Sequence, residues 1–449
     1  MPSSAHPRGQ AIADAAARVI PGGVNSSTRY IGAPYAFTAA DGAHVVDADG
    51  NRYLDYHAAF GAILLGHNEP VVNDAVRATL GGVDLVGLGV TEAEVALAQR
   101  VVEIIPSAES MIATMSGSEA VAQAIRLARA VTGRDLVVKF QGGFHGWSDA
   151  VARNVISAPD RAYGRDPLSG GILAQAVDST LIAEFNDLDS VTALFDRFPD
   201  RVAAVIMEPI PHNVGALVPT SEFVSGLRKL TEVNDALLIF DEVITGLRHS
   251  LGGYQQVIGV TPDLTTFGKG LGNGFPSGGV AGRRDLMEHF NGQTGDVLLA
   301  GTFNGNPIGC AAALATIGYL QEHPDFYERT FALGERMRTG LAEIVTELNI
   351  DATVAGFGGV FVLYFAKPPA LGYRDLMRNN DEAYVAFHRG MTDRGFLMLP
   401  MALKRNHISG AHTAEDVERT LEAARDVLGE LRKAGTISPG HQPHRGNPG

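Results

Sequence analysis

The stretch ALLIFDEVITGLRHSLGGYQQVIGVTPDLTTFGKG, residues 236–270, places two chemically useful side chains at the ends of two short strands. Its apolar run Ala236-Leu237-Leu238-Ile239-Phe240 shows no polar alternation and reads as a strand buried on both faces, followed by Asp241 and Glu242. Twenty-eight residues after Asp241, the run Leu264-Thr265-Thr266-Phe267 ends in Gly268-Lys269-Gly270. Ligands of open α/β sheets bind at the carboxyl ends of the strands, so Asp241 and Lys269 can meet on one ligand. Pyridoxal phosphate uses such a pair: a lysine amine for its Schiff base and an acid to keep its pyridine nitrogen protonated. Taken alone, an aspartate and a lysine in these positions also read as an ordinary strand-end ion pair.

With 449 residues, 45% of them hydrophobic and 19% charged, the chain is long enough for two or three domains around a large core. The net charge of −14 argues against nucleic acid and anionic membranes as partners, so an anionic cofactor must be held by local donors. The one cysteine, Cys310, lies in the apolar helical run Ile308–Ile317 and reads as a buried structural thiol, which fits a reducing compartment. No apolar leader opens the chain and no stretch is apolar enough to span a bilayer, so a cytoplasmic location is expected.

Outward from the opening stretch, strands are expected at Met111–Met115, Leu136–Phe140, Val202–Met207 and near Val280, with helices beginning after Ser118, at Ser221–Val233 and at Pro307. This alternation predicts a doubly wound, mostly parallel sheet. Ser116-Gly117-Ser118-Glu119-Ala120 runs from a small-residue loop into a helix N-terminus, whose free N–H groups and dipole suit a phosphate; plain capping by Ser116 or Ser118 is the alternative. Gly142-Gly143-Phe144-His145-Gly146-Trp147 brackets an aromatic ring with glycines, an arrangement that can lay a ring on a ligand. Thr302 sits in the loop Gly301–Asn306, within reach of a phosphate. Arg29 in the polar loop 24–30 can fork onto a carboxylate or simply be solvated.

Toward the N-terminus, Ala11–Ile20 reads as a helix stopped by Pro21-Gly22-Gly23, Ala36–Asp55 as a hairpin about Asp49-Gly50, and Pro70–Ile105 as two amphipathic helices. Asp47-Ala48-Asp49-Gly50 lacks the later ligands of a calcium loop, and no metal is expected. Residues 156–171 form a long loop of the kind that is either a lid or simply disordered. Beyond His323, helices at Phe331–Leu348, Glu382–Arg394 and after Thr413 alternate with strands at Ala352–Ala355 and Val360–Phe365, and Thr413 with Asp416 approaches a capping box. The tail from Gly435, with His441 and His444, has the composition of a disordered segment.

The ordered set Pro21-Gly22-Gly23-Val24-Asn25-Ser26, Leu65-Gly66-His67-Asn68, Ser116–Ala120, Phe144-His145-Gly146, Phe185-Asn186-Asp187-Leu188, Asp241-Glu242-Val243, Gly268-Lys269 and Gly305-Asn306-Pro307 resembles the class III aminotransferases of pyridoxal-phosphate fold type I, and among them the aminomutases, over residues 15–430. The resemblance implies an α/β fold with a large domain on a mostly parallel seven-stranded-type sheet and a smaller α+β domain built from the two chain ends. The expected division is 1–60 as N-terminal segment, 61–322 as cofactor domain, 323–434 as small domain and 435–449 as tail. It implies Lys269 as the Schiff-base lysine, Asp241 at the pyridine nitrogen, Glu208 near the cofactor's O3′ side, and Val243 and Phe144 on the two ring faces beside His145. Phosphate contacts fall to Ser116, Gly117 and Ser118, joined by Thr302 from the second subunit of a homodimer with a shared active site. Ser26 and Arg29 fall where the substrate carboxylate is held, and residues 156–171 where a mobile gate lies.

Two departures from that pattern concern substrate. Phe60 stands in place of a tryptophan, and Leu403-Lys404-Arg405-Asn406-His407 replaces a segment containing Phe-Glu-Ala-Gly. Exchanging a glutamate for Lys404 and Arg405 inverts the charge there if the side chains are buried, and changes nothing if they face solvent. The expected activity is therefore amino transfer between an amino acid, a β- or D-amino acid among the candidates, and a keto acid or aldehyde in a ping-pong cycle. Intramolecular amino transfer is the alternative, followed by a racemase or a non-catalytic cofactor-binding protein.

Overall fold

The structure, a computed structural model, describes residues 6–31, 35–368 and 370–437. Its first strands, β1 (Phe37–Asp41), β2 (His44–Asp47) and β3 (Arg52–Asp55), form an antiparallel meander, so the single hairpin expected over Ala36–Asp55 is two consecutive turns. The earlier turn, at Gly42, was missed because it leaves the strand alternation nearly unbroken. Asp49 carboxylate oxygens accept from Arg8 N and Gly9 N at the start of helix Pro7–Val19, and Asp47 accepts from the amides of Asp49 and Asn51. The Asp-x-Asp pair thus ties the N-terminal helix to the meander.

The central sheet has seven strands: β4 (Ser110–Thr114), β5 (Leu136–Phe140), β6 (Thr180–Ala183), β7 (Val202–Met207), β8 (Leu237–Asp241), β9 (Leu264–Phe267) and β10 (Gly278–Gly282), in the order β4-β10-β9-β8-β7-β5-β6. Neighbours from β6 to β9 are parallel, and β10 runs antiparallel to both β9 and β4. Helices cover both faces of such a sheet, which is why β7, and β8 up to its closing Asp241, are apolar, with every position of both buried. Leu238, Ile239 and Phe240 are fully buried, each contributing roughly 1.5–3 kcal/mol by removing apolar area from water. β8 begins one residue later than expected and ends on Asp241 itself.

The C-terminal part adds β11 (Thr353–Ala355), β12 (Val360–Tyr364), β13 (Phe396–Leu397) and β14 (Asn406–His407). β13 pairs in parallel with β3, joining the two ends of the chain in one four-stranded sheet, and β14 pairs with β12. The longer helices here are Phe326–Glu347, Asp381–Thr392 and Ala414–Lys433, the last with the Thr413–Asp416 capping box fully formed. Cys310 is buried, and burial raises its thiol pKa to about 11. The tail histidines His441 and His444 lie outside the described residues.

Residues 156–171 do not stand off as a free strap. Gln141 donates to Ser157 Oγ and accepts from Tyr163 N, the Tyr373 hydroxyl donates to Ser157 O, and buried Arg153 donates to Gly164 O and Thr180 O. The root of the loop is therefore pinned to the sheet, and its outer part, from Pro159 to Arg161 and from Leu168 to Gly171, is exposed.

Candidate active site

Four adjacent parallel strands end on the same side of the sheet, and each delivers a polar group there. Asp241 ends β8; Lys269 lies just beyond β9, Glu208 just beyond β7, and His145 in the turn after β5. Asp241 Oδ2 and His145 Nδ1 are 2.7 Å apart, both buried, while Asp241 Oδ1 accepts from Val243 N at 3.1 Å. Glu208 accepts from Phe144 N at 2.7 Å and from His212 N at 3.2 Å. Burial raises the Glu208 pKa, and the nearby Asp241 charge adds to this.

Lys269 follows Gly268 and has a left-handed backbone, φ 47°. Burial, reinforced by the charge of Arg405, lowers its amine to about 8, while Glu208 and Asp241 pull the other way. An amine so poised can switch between nucleophile, base and acid near neutral pH.

Beside β9, the helix Gly117–Thr132 begins with Ser116 as N-cap, its hydroxyl accepting from Glu119 N at 3.3 Å. The capping expectation for Ser116 therefore holds, and the helix start lies close to the Lys269 segment at the sheet end. A Cβ on Gly117 would lie 2.5 Å from Val243 Cγ2, and one on Gly268 3.2 Å from the Gly117 amide nitrogen. One on Gly146 would lie 2.4 Å from Ser118 Oγ. These close approaches bring together the helix start, Val243, the Lys269 segment and the Phe144-His145 turn. Phe144 itself is exposed at 36%.

On the far side, Lys404 and Arg405 are buried, 8% and 4% exposed, so the solvent-facing alternative is overturned. Lys404 Nζ donates to Asn213 Oδ1 at 2.6 Å and Arg405 Nη2 to Phe60 O at 2.6 Å. Burial, with the adjacent Arg405 charge, lowers Lys404 to about 7; burial lowers Arg405 to about 10. Neither is in an ion pair among the described residues. Arg248, buried and likewise without a carboxylate partner among them, donates to Gly61 O at 2.6 Å. Sequence reasoning missed Arg248, as it did three buried histidines beside it: His212, His249 and His407. The His212 and His249 Nε2 atoms are 3.2 Å apart, and the His212 and His407 rings stack at 5.7 Å. Burial holds all three imidazoles well below their ordinary pKa and therefore neutral.

Phe60 sits in an unusual turn. Ala58, Ala59, Phe60 and Gly61 have φ of 49°, 48°, 59° and 89°, a left-handed run costing about 1–2 kcal/mol at each non-glycine residue. The Asp55 carboxylate accepts from His57 N and Ala58 N, Asn273 Oδ1 accepts from Leu64 N and Leu65 N, and Arg405 and Arg248 hold the carbonyls between.

Three expected site residues are not brought to this cleft by the chain's own contacts. Arg29 is exposed, the Ser26 hydroxyl pairs with Thr28 Oγ1 at 2.9 Å, and Thr302 lies exposed before the helix Pro307–Glu322 without a side-chain hydrogen bond among the described residues.

A lysine and an aspartate at adjacent strand ends, with a helix start alongside, fit a flat phosphorylated ring bearing a protonatable nitrogen, and they define a pyridoxal 5′-phosphate-dependent enzyme of the α/β type. The model of the aminotransferase class-III family matches residues 26–404, and the chain belongs to that family. A glutamate-1-semialdehyde 2,1-aminomutase of Neisseria gonorrhoeae is 41% identical over 94% of this chain and 98% of its own. Among solved structures, an omega-transaminase from Sphaerobacter thermophilus matches with a TM-score of 0.88 at 34% identity, covering 96% of this chain and 98% of that one. A transaminase with PLP bound matches with a TM-score of 0.87 at 28% identity, covering 96% and 99%.

Proposed function

We propose that this protein is an aminotransferase that moves an amino group between two separate molecules, at least one carrying a carboxylate, and that Lys404 and Arg405 hold that carboxylate. The observation that carries it is the burial of both cations beside Lys269 with no ion-pair partner among the described residues. A buried guanidinium without a carboxylate partner is costly, and a substrate anion supplies the missing charge.

Pyridoxal phosphate, when bound, supplies an electron sink for the electrons left at the substrate carbon. Lys269 is the residue that anchors it and, once free, moves the proton at that carbon, a role suited to an amine near pH 8. Asp241, oriented by His145 and Val243 N, holds the proton on the pyridine nitrogen. Gly117 and Ser118 would present helix-start amides to the cofactor's phosphate, and Val243 and Phe144 would hold its ring. Glu208 fixes the Phe144 turn through that residue's amide.

A homodimer belongs to the same proposal. Leu80, Val83, Val86, Leu88 and Val90 are each more than half exposed, as is Phe303 beside Thr302, an apolar concentration typical of a covered face. A partner seated there explains why Thr302 faces outward in one chain. No helix of the described residues is long and apolar enough to cross a membrane, and a cytoplasmic location is part of the proposal.

The second candidate is intramolecular transfer, glutamate-1-semialdehyde to 5-aminolevulinate. The name borne by the 41%-identical relative favours it over an intermolecular reaction. Steady-state assays with paired donors and acceptors separate the two: the proposal requires turnover to depend on both co-substrates and to vanish in Lys269→Ala. Turnover of the semialdehyde alone, with amine donors without effect, overturns it.

A further inference from the structure

The left-handed turn 58–61 and the anion-holding arginine are mechanically joined. Arg405 reaches the turn by one hydrogen bond, to Phe60 O, and its Nε has no partner. Arg248 holds the next carbonyl, Gly61 O. The ring of His407 fills the space behind, so close that a Cβ on Gly61 would lie 3.0 Å from its Cε1. His407 is neutral and offers the turn no charge-assisted bond. The Phe60 side chain, half-buried, packs edge-on against His57 at 4.2 Å between centroids.

A conformation that L-residues rarely adopt persists only where surrounding bonds impose it. One of those bonds is made by the group that, on the function proposed above, carries the substrate carboxylate. A carboxylate is a stronger acceptor for a guanidinium than a peptide carbonyl, and one that forks onto the open Nε and its neighbouring Nη2 competes with Phe60 O for Nη2. We propose that the turn Ala58–Gly61 is a strained latch: a carboxylate that takes Arg405 frees the Phe60 carbonyl, the turn relaxes, and Phe60 shifts in the substrate pocket. Phe60 thereby becomes a specificity-determining residue whose position reports whether the anion site is filled. This rests on Arg405 being the carboxylate site.

Strain in the clamped turn favours its release, so relieving it should disfavour anion binding. Glycine adopts positive φ at little cost, and Ala59→Gly therefore stabilises the clamped form. The test is calorimetric titration of the holoenzyme with 3-phenylpropanoate, a carboxylate without an amine, together with hydrogen exchange of the segment 58–65. The latch requires Ala59→Gly to raise the melting temperature and also to weaken 3-phenylpropanoate binding by ~5- to 30-fold, the strain of one left-handed residue. It also requires the Ala62 and Ile63 amides, which close the turn onto Ala59 O and Ala58 O, to exchange faster in the wild type when the carboxylate is added. A stabilised Ala59→Gly with unchanged affinity, or slower exchange on binding, overturns the latch. Ala58→Gly repeats the test at the neighbouring residue. Arg405→Met separates the two claims: if it binds 3-phenylpropanoate as the wild type does, the carboxylate site itself is misassigned; if it loses binding while both glycine variants do not differ from wild type, only the latch fails.

Discussion

Replacing Arg405 by methionine keeps an unbranched apolar stem and removes the guanidinium. In the structure that group has one bond, Nη2 to Phe60 O at 2.6 Å, and no carboxylate partner among the described residues. For stability, two effects oppose each other: a desolvated charge is removed, and the Phe60 carbonyl loses its donor, at about 1–3 kcal/mol each way. The unfolding free energy should therefore stay within about 1 kcal/mol of wild type. Catalysis has no such offset. Losing a charge-assisted contact to a substrate carboxylate costs about 2–4 kcal/mol, or roughly 30- to 1000-fold in kcat/KM. The assay is kcat/KM for an amino acid donor beside the same skeleton lacking its carboxylate. The carboxylated donor should lose that factor and the plain amine should be almost unaffected. Equal losses for both, or none for the amino acid, refute the assignment of Arg405.

Lys404 makes a pH prediction. Its pKa falls from 10.5 to about 7 on folding, so the folded state binds fewer protons than the unfolded between those values, and this residue makes stability rise with pH across that window. Lys404→Met should remove the rise, about 3–5 kcal/mol at ~1.4 kcal/mol per unit, seen as a flatter denaturant midpoint from pH 7 to 10. Gly117→Ala places a Cβ 2.5 Å from Val243 Cγ2; about 1–3 kcal/mol of stability should be lost, with weaker cofactor retention measured by release of the chromophore on dialysis. Asp241→Asn keeps the shape but not the charge proposed to face the pyridine nitrogen, and should lower kcat by about 1000-fold or more while leaving the fold intact by circular dichroism.

The parts of this fold legible in the sequence are those whose signal is local. The helix Ser221–Val233 and strands Val202–Met207 and Leu264–Phe267 were fixed by apolar runs and caps, and match residue for residue. β6, β13 and β14 were not expected because strands of two to four residues exist only through partners far along the chain: β13 through β3, β14 through β12. Lys269 and Asp241 were readable because strand ends converge by topology. Lys404 and Arg405 stood out as a charge anomaly, but their burial depends on β14 and on Asn213 and Phe60, nearly two hundred or more residues away in sequence. Arg248, His212 and His249 carried no sequence signal, and His407 was marked only as part of the segment Leu403–His407; a cation or imidazole in a loop reads as solvated until a neighbour removes the water. The phosphate contact proposed for Thr302 rests on the family resemblance alone, since in one chain the residue is exposed.

The most direct test of intermolecular amino transfer is a single-turnover experiment. Holoenzyme is mixed with one equivalent of each of a panel of α-, β-, γ- and D-amino acids, and with glutamate-1-semialdehyde, without any acceptor. The visible absorbance of the lysine-bound cofactor and the free keto product are followed together, with Lys269→Ala as control. The expected result is bleaching by one amino acid class with a stoichiometric free keto product. Conversion of the semialdehyde alone to 5-aminolevulinate, with no amino acid bleaching the cofactor, contradicts it.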